Sequence, residues 1–190
     1  MELKKKASNI SSTDLYFFDT DALSCFLCID EEYILPLLFD NRIIIPKQVY
    51  MEICRARKDN GVLKTRLDRL IKNKQAVIND IEYPTREFDL YQDFINGNNQ
   101  LKIAIGKGEA ACLSMAIERK GTIVSNNLKD VKEFVGLFNL KHMTTVDILK
   151  KAYSEKIISE DNGNRIFQKM KENSRKIGPY KSFSHCLKSR

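Results

Sequence analysis

Five short runs of apolar, β-branched and aromatic residues mark the chain, at 16–20, 42–46, 76–79, 122–125 and 142–144. Each is apolar nearly throughout rather than alternating, which is the pattern of strands buried on both faces of a parallel sheet. Between them the period lengthens to that of helices. Asp21 is placed to cap a helix through Ala22, Leu23, Phe26 and Leu27. Pro46 opens another, with Val49, Ile53 and Cys54 on one side. Asp59, Asn60 and Gly61 break it, and Leu63, Leu67, Leu70 and Ile71 mark the next apolar face. Gly108 precedes a helix over 109–119 whose inner stripe is Ala110, Leu113, Ala116 and Ile117, and Gly121 is expected to end it. Two further helices are predicted over 146–154 and 161–172. The turn at 177–179 then separates off a short tail with Ser182, Phe183 and Leu187, and 96–100 (NGNNQ) is the most loop-like internal stretch. Strands alternating with helices predict an α/β fold with a parallel sheet and right-handed crossovers.

Length and composition narrow the class. A chain of 190 residues, 43% hydrophobic and 30% charged, suits one globular domain with a helical extension. No apolar run approaches the ~18 residues of a membrane span. The Lys-rich start runs into Ser11, Ser12, Thr13 and Asp14 rather than a signal-peptide core, so a cytoplasmic protein is expected. Five cysteines, with one CxxC at Cys25 and Cys28 and no second pair, argue against a disulfide framework and against structural zinc. They read as small buried residues. The net charge of +7 is concentrated in Lys4 to Lys6, in the stretch holding Arg55, Lys58, Arg66 and Arg69, and in the tail beyond Lys171. Patches of this kind attract phosphate backbones, against the plainer reading of a solubilising surface, and for Arg55 and Lys58 a solvated helix face stands as the alternative.

The acids fall in a second pattern. In an open parallel sheet, ligands sit at the carboxyl ends of the strands. Asp19 ends the first strand, Glu52 lies on the helix after the second, Glu109 opens the helix before the fourth, and Asp130 follows the fourth by one turn. Singly, Glu52, Glu109 and Asp130 read as helix-surface or dipole-complementing residues. An ionised group ending the strand Tyr16-Phe17-Phe18 is costly unless paired or metal-bound. Four acids from four segments converging on one sheet edge would repel one another unless a cation sat among them, and hard oxygen ligands favour magnesium or manganese over zinc.

These residues also carry a resemblance. Phe17-Phe18-Asp19-Thr20-Asp21-Ala22-Leu23 resembles the opening motif of PIN-domain nucleases. Ile43-Ile44-Ile45-Pro46 with Val49 and Glu52 resembles their second motif, Gly108-Glu109-Ala110-Ala111 the third, and Val124-Ser125-Asn126-Asn127-Leu128-Lys129-Asp130 the fourth. The stretch from Thr144 to Ala152 is similar to the segment after the last strand in a toxin-like PIN subgroup. The resemblance spans 15–152. It implies an RNase H-like α/β/α sandwich around a parallel sheet of about five strands, with a basic arm at 1–14 and a helical extension and basic tail at 153–190 packed on the same domain. It also implies a Mg²⁺ or Mn²⁺ site from Asp19, Glu109 and Asp130. Glu52 would orient the attacking water or a second ion, and Thr20, Ser125 and Asn126 would be polar helpers. Two departures stand out: Asn126 and Asn127 occupy positions where many PIN enzymes carry Asp, and Glu109 replaces the commoner Asp.

The implied chemistry is metal-assisted cleavage of RNA, with Arg55, Lys58, Arg66 and Arg69 holding the backbone. The implied setting is the toxin half of a toxin–antitoxin pair. Its partners would be RNA, an antitoxin and a second copy of the chain, with no membrane. The rival class is a catalytically weakened PIN fold that binds RNA or protein. Cysteine–histidine catalysis finds no spacing among Cys112, Cys186, His142 and His185. The stretch Ile105-Gly106-Lys107-Gly108 lacks the ending of a phosphate loop.

Overall fold

The computed structural model describes residues 14–56 and 61–189, without the side chains of 41 and 128–130. The lysines of the N-terminal arm, Lys58 and the Asp130 side chain therefore lie outside the described residues.

Strand β1 (Tyr16–Phe18) leads into helix α1 (Thr20–Leu27), then α2 (Ile34–Phe39) and β2 (Ile43–Pro46). Helices α3 (Lys47–Arg55) and α4 (Val62–Lys72) precede β3 (Val77–Asn79). Then come α5 (Arg86–Asn96), α6 (Lys107–Glu118), β4 (Thr122–Val124), α7 (Leu128–Leu137) and β5 (Lys141–Met143). The chain closes with α8 (Thr145–Ser154), α9 (Glu160–Glu172) and α10 (Phe183–Lys188). The five strands form one parallel sheet in the order β3-β2-β1-β4-β5. The order reverses at β1, whose neighbours are β2 on one side and β4 on the other. That switch point opens a crevice at the strand C-termini.

Burial on both faces holds for the central strands, where β1, β2 and β4 are buried throughout. It fails at the edges. Val77 is exposed on β3, and β5 carries an exposed Lys141 and a half-buried His142. An edge strand has a neighbour on one side only, so its apolar residues need not be covered. Phe17, Phe18, Phe26 and Phe39 pack fully buried around β1.

Three local expectations change. Asp19, not Asp21, is the N-cap of α1, and Asp21 is exposed. The helix before β4 ends at Glu118, with Arg119 as C-cap and Lys120 at φ 52, so Gly121 is not its stop. Gly121 is glycine for another reason: a Cβ there would lie 2.4 Å from the Phe17 ring and 2.7 Å from the Leu15 carbonyl. Helices α2 and α5 were not anticipated. Helix α5 is capped by the Thr85 hydroxyl, which accepts from the Phe88 N–H at 3.2 Å, and it ends at Gly97 in the left-handed region (φ 69).

The last two helices pack on α8. Phe183 of α10 closes on Gly163 of α9, where a Cβ would meet the ring at 2.2 Å. Arg165 of α9 reaches back to Glu31 at 2.9 Å.

Candidate active site

β1 ends where its backbone is still tied to β4: the Asp19 N–H donates to the Val124 carbonyl at 2.9 Å. The chain then turns into α1, and the Asp19 carboxylate caps that turn. Oδ1 accepts from the Thr20 N–H at 2.6 Å, and Oδ2 accepts from the Ser125 hydroxyl at 3.0 Å. Ser125 stands at the end of β4 and its hydroxyl also accepts from the Asn127 N–H at 3.1 Å. Asp19 is only 3% exposed. Burial, and then the charge of Glu109, push its pKa up to about 7 against the pull of those two hydrogen bonds.

Glu52 comes from α3 across the crevice. Its Oε2 accepts from the Thr20 hydroxyl at 2.5 Å, and its Oε1 from the Gly108 N–H at 3.0 Å. Gly108 has to be small here, because a Cβ would meet the Glu52 carboxylate at 2.7 Å. Glu109, on the first turn of α6, accepts from its own N-cap Gly106 N–H at 3.2 Å and from the Asn127 amide. Below the three lies Cys112, one turn on along α6. Its thiol is pushed well above the usual range, first by burial and then by Asp19, Glu52 and Glu109. The structure thus places these three acids along the crevice at the switch of the sheet, each within electrostatic reach of Cys112.

The other expected residues divide. Thr20 and Ser125 both touch the carboxylates. Asn126 does not: its amide donates to the Thr145 hydroxyl at 2.8 Å and its oxygen accepts from the Thr145 N–H at 2.9 Å, so it fastens β4 to the start of α8. Asn127 is the amide that reaches Glu109. Of the basic residues, Arg55 is exposed on the last turn of α3 near Glu52. Arg66 and Arg69 are engaged elsewhere. Arg66 donates to the Leu27 carbonyl and pairs with Asp30 at 3.2 Å, and Arg69 pairs with Asp30 at 2.7 Å and with Glu32. Gly108 and Asn127 were not anticipated as partners of the acids. No sequence signal marks a glycine chosen to admit a carboxylate from another helix.

Every donor atom facing the crevice from these acids is oxygen, which suits a hard divalent cation. Among the described residues no three His, Cys, Asp or Glu side chains are grouped closely enough to hold a metal ion. An ion that keeps much of its water and takes one or two carboxylates fits such an open arrangement.

Comparison with known proteins agrees with this fold. Residues 15–182 match the family model described as DUF3368: PIN domain. The chain belongs to the PIN-domain family. PIN domains as a group are nucleases that generally depend on divalent metal. Among curated proteins none matches. Among solved structures, a chain of the VapBC2 complex of Rickettsia felis, bound to a DNA fragment from its promoter, shares the fold. Its TM-score is 0.51 at 20% identity, over 68% of this chain and 98% of that one. A VapBC-1 chain from nontypeable Haemophilus influenzae gives a TM-score of 0.46 at 17% identity, over 69% and 98%. No helix among the described residues is long and apolar enough to cross a membrane.

Proposed function

We propose that this PIN domain is a Mg²⁺- or Mn²⁺-dependent endoribonuclease, acting as a toxin held in check by a protein antitoxin. One observation carries the catalytic part. Asp19 is buried with its pKa raised, and the carboxylates of Asp19 and Glu52 are held by the Ser125 and Thr20 hydroxyls and by the Thr20 and Gly108 N–H groups. A site built this way keeps its negative charge for something that arrives from outside.

Asp19 and Glu109 would hold the cation, together with Asp130 in the first turn of α7. A bound Mg²⁺ or Mn²⁺ supplies a polarised scissile phosphate and a water of lowered pKa. The chain's own residues do the rest. Ser125 and the Thr20 N–H fix both oxygens of Asp19. The Thr20 hydroxyl and the Gly108 N–H aim Glu52 across the crevice, where it would orient the attacking water. That water's oxygen would join phosphorus and give up a proton to solvent, while the P–O bond to the leaving ribose oxygen breaks and that oxygen takes a proton from solvent.

The antitoxin part is supported by the fold shared with a VapBC2 chain. An arginine or lysine inserted among Asp19, Glu52 and Glu109 would satisfy them with charge-assisted hydrogen bonds and displace a cation.

Two measurements test the reading. Calorimetry should show Mn²⁺ binding to the wild type and loss of it in Asp19→Asn. Cleavage of total RNA with Mg²⁺ or Mn²⁺ should vanish in the same variant. An Asp19→Asn protein that cleaves fully would refute the metal assignment. Absence of both binding and cleavage in the wild type would favour a PIN fold that works as a binding module.

A further inference from the structure

A groove of about 430 Å³ opens directly beside Glu52, on the side away from Asp19's strand. That is within the ~300–1,000 Å³ typical of small-ligand pockets. It runs between α3 and the start of α6, and α5 forms its far wall. Its acidic lining is Glu52 and Asp80, and Asp80 is already bonded to Lys47 at 2.6 Å. Its other cations are Arg55 and Lys107. Both are exposed, and neither has an ion pair among the described residues.

Three further features point to an occupant. Tyr91 of α5 is 9% exposed, yet its hydroxyl makes no hydrogen bond among the described residues. Burial, and then Glu52, hold its pKa above the ordinary value, so it stays a neutral donor. Gln48 has its Oε1 buried without a hydrogen-bond partner. Met51 leaves 39% of its surface exposed at the rim, an apolar face in an otherwise polar wall. Two cations, a neutral O–H donor and an apolar rim suit the phosphate and the ribose or base of one nucleotide.

Resting on the ribonuclease reading above, we propose that this groove seats the RNA nucleotide next to the cut. Arg55, Lys107 and the Tyr91 hydroxyl hold its phosphate, and Met51 lies against its base or ribose. Arg55 was already expected to meet RNA. Lys107 and Tyr91 are new, and they replace Arg66 and Arg69, whose guanidinium groups are taken up by Asp30 and Glu32. The groove adjoins the carboxylate that would orient water, so a phosphate held in it fixes the register of the strand over Asp19 and Glu109.

The test uses the full chain carrying Asp19→Asn, so that substrate is bound but not cut. Binding of a labelled single-stranded RNA oligonucleotide is followed by anisotropy from low to high salt. Arg55→Gln with Lys107→Gln should reduce the slope of log Kd against log salt by about 1.4, two contacts at about 0.7 each for a single strand. Tyr91→Phe should weaken binding about ten- to a hundredfold and leave the slope alone, because it removes a hydrogen bond to the phosphate but no charge from the protein. Thermal melts establish that the variants are folded, and a folding defect would not produce a selective change in slope. An unchanged slope in the double variant, or RNA affinity untouched by Tyr91→Phe, overturns the proposal. RNA cleavage by the wild type alongside an unchanged slope would sink the groove alone. No cleavage by the wild type would sink the nuclease reading, while the anisotropy arm, made on a non-cleaving protein, still decides the groove.

Discussion

Two clusters of three acids stand in this domain, and they are neutralised in opposite ways. Asp30, Glu31 and Glu32, in the loop after α1, meet arginines: Asp30 lies 3.2 Å from Arg66 and 2.7 Å from Arg69, Glu32 pairs with Arg69, and Glu31 lies 2.9 Å from Arg165. Asp19, Glu52 and Glu109 meet Ser125, Thr20, Asn127 and two glycine N–H groups. The first cluster is a joint that ties α4 and α9 to the loop. In the second, Asp19 and Glu52 are held by hydrogen-bond donors that carry no charge. The pKa directions follow. Asp30 is held below its ordinary value, by Arg69 first and then Arg66, whereas Asp19 is raised to about 7. Asp19 caps α1, but burying a carboxylate that prefers its proton is costly, and the cation proposed above would offset that cost.

The sharpest way to break the contrast is to change the same atom in each cluster. Asp19→Asn should lower RNA cleavage about a thousand-fold or more, roughly 4 kcal/mol of transition-state stabilisation, and leave the fold intact. Glu31→Gln, in the joint, should leave the rate per folded molecule unchanged. Equal losses in both would dissolve the distinction.

Titration separates the clusters next. With metal chelated, Asp19 has a folded pKa above its unfolded one. Its penalty is absent below about pH 4, grows as pH rises, and is complete above about pH 7, at a few kcal/mol. Thermal melts in EDTA should therefore show a fall in stability across that window, flattened in Asp19→Asn. Asp30 works the other way: its contribution is present above its unfolded pKa and disappears as pH falls through the folded one. A wild-type melting temperature that rises from pH 5 to 7 by at least as much as that of Asp19→Asn would contradict the assignment.

Removing an arginine from the joint comes third. Arg69→Ala leaves Glu32, with a side chain only 3% exposed, without its cation. Because the Arg69 side chain is itself 55% exposed, solvent screens part of that loss, and a lower denaturation midpoint with an unchanged m-value is expected in a denaturant titration. The salt dependence of RNA binding should not change. A fall in its slope would restore Arg69 to the nucleic-acid surface.

The contrast also shows where the sequence could be read and where it could not. Apolar runs located all five strands to within about two residues, since a buried central strand tolerates little else. Topology then carried Asp19, Glu52 and Glu109 toward one edge. Charge was harder. Arg66 and Arg69 sit in a basic run that looks like a phosphate-binding face, and only the packing of α4 against the loop after α1 reveals the acids that absorb them. Helix α5 did carry a signal, with Phe88, Tyr91, Phe94 and Ile95 at helical spacing after the capping Thr85. The substitution of Asn for Asp at 126 and 127 was legible, but its consequence was not. One amide fastens β4 to α8 and the other holds Glu109, and these are facts of three dimensions.

Gly108→Ala is the finest probe, because it separates the position of a carboxylate from the stability of its helix. Gly108 lies in the first turn of α6, in a backbone conformation open to alanine, so the change should stabilise that helix by up to about 1 kcal/mol. The new methyl would meet the Glu52 carboxylate at 2.7 Å. That is the far end of a flexible side chain, so Glu52 swings away rather than α6. It loses the Gly108 N–H and the register set by Thr20. Cleavage should drop about tenfold, the lower range for disturbing the partner of a site carboxylate, while the melting temperature holds or rises. Thr20→Val, which removes the other tether without steric intrusion, should give a loss of the same order. If Gly108→Ala lowers stability and activity together, the close approach is part of the core. If activity is untouched, Glu52 does not orient the attacking water.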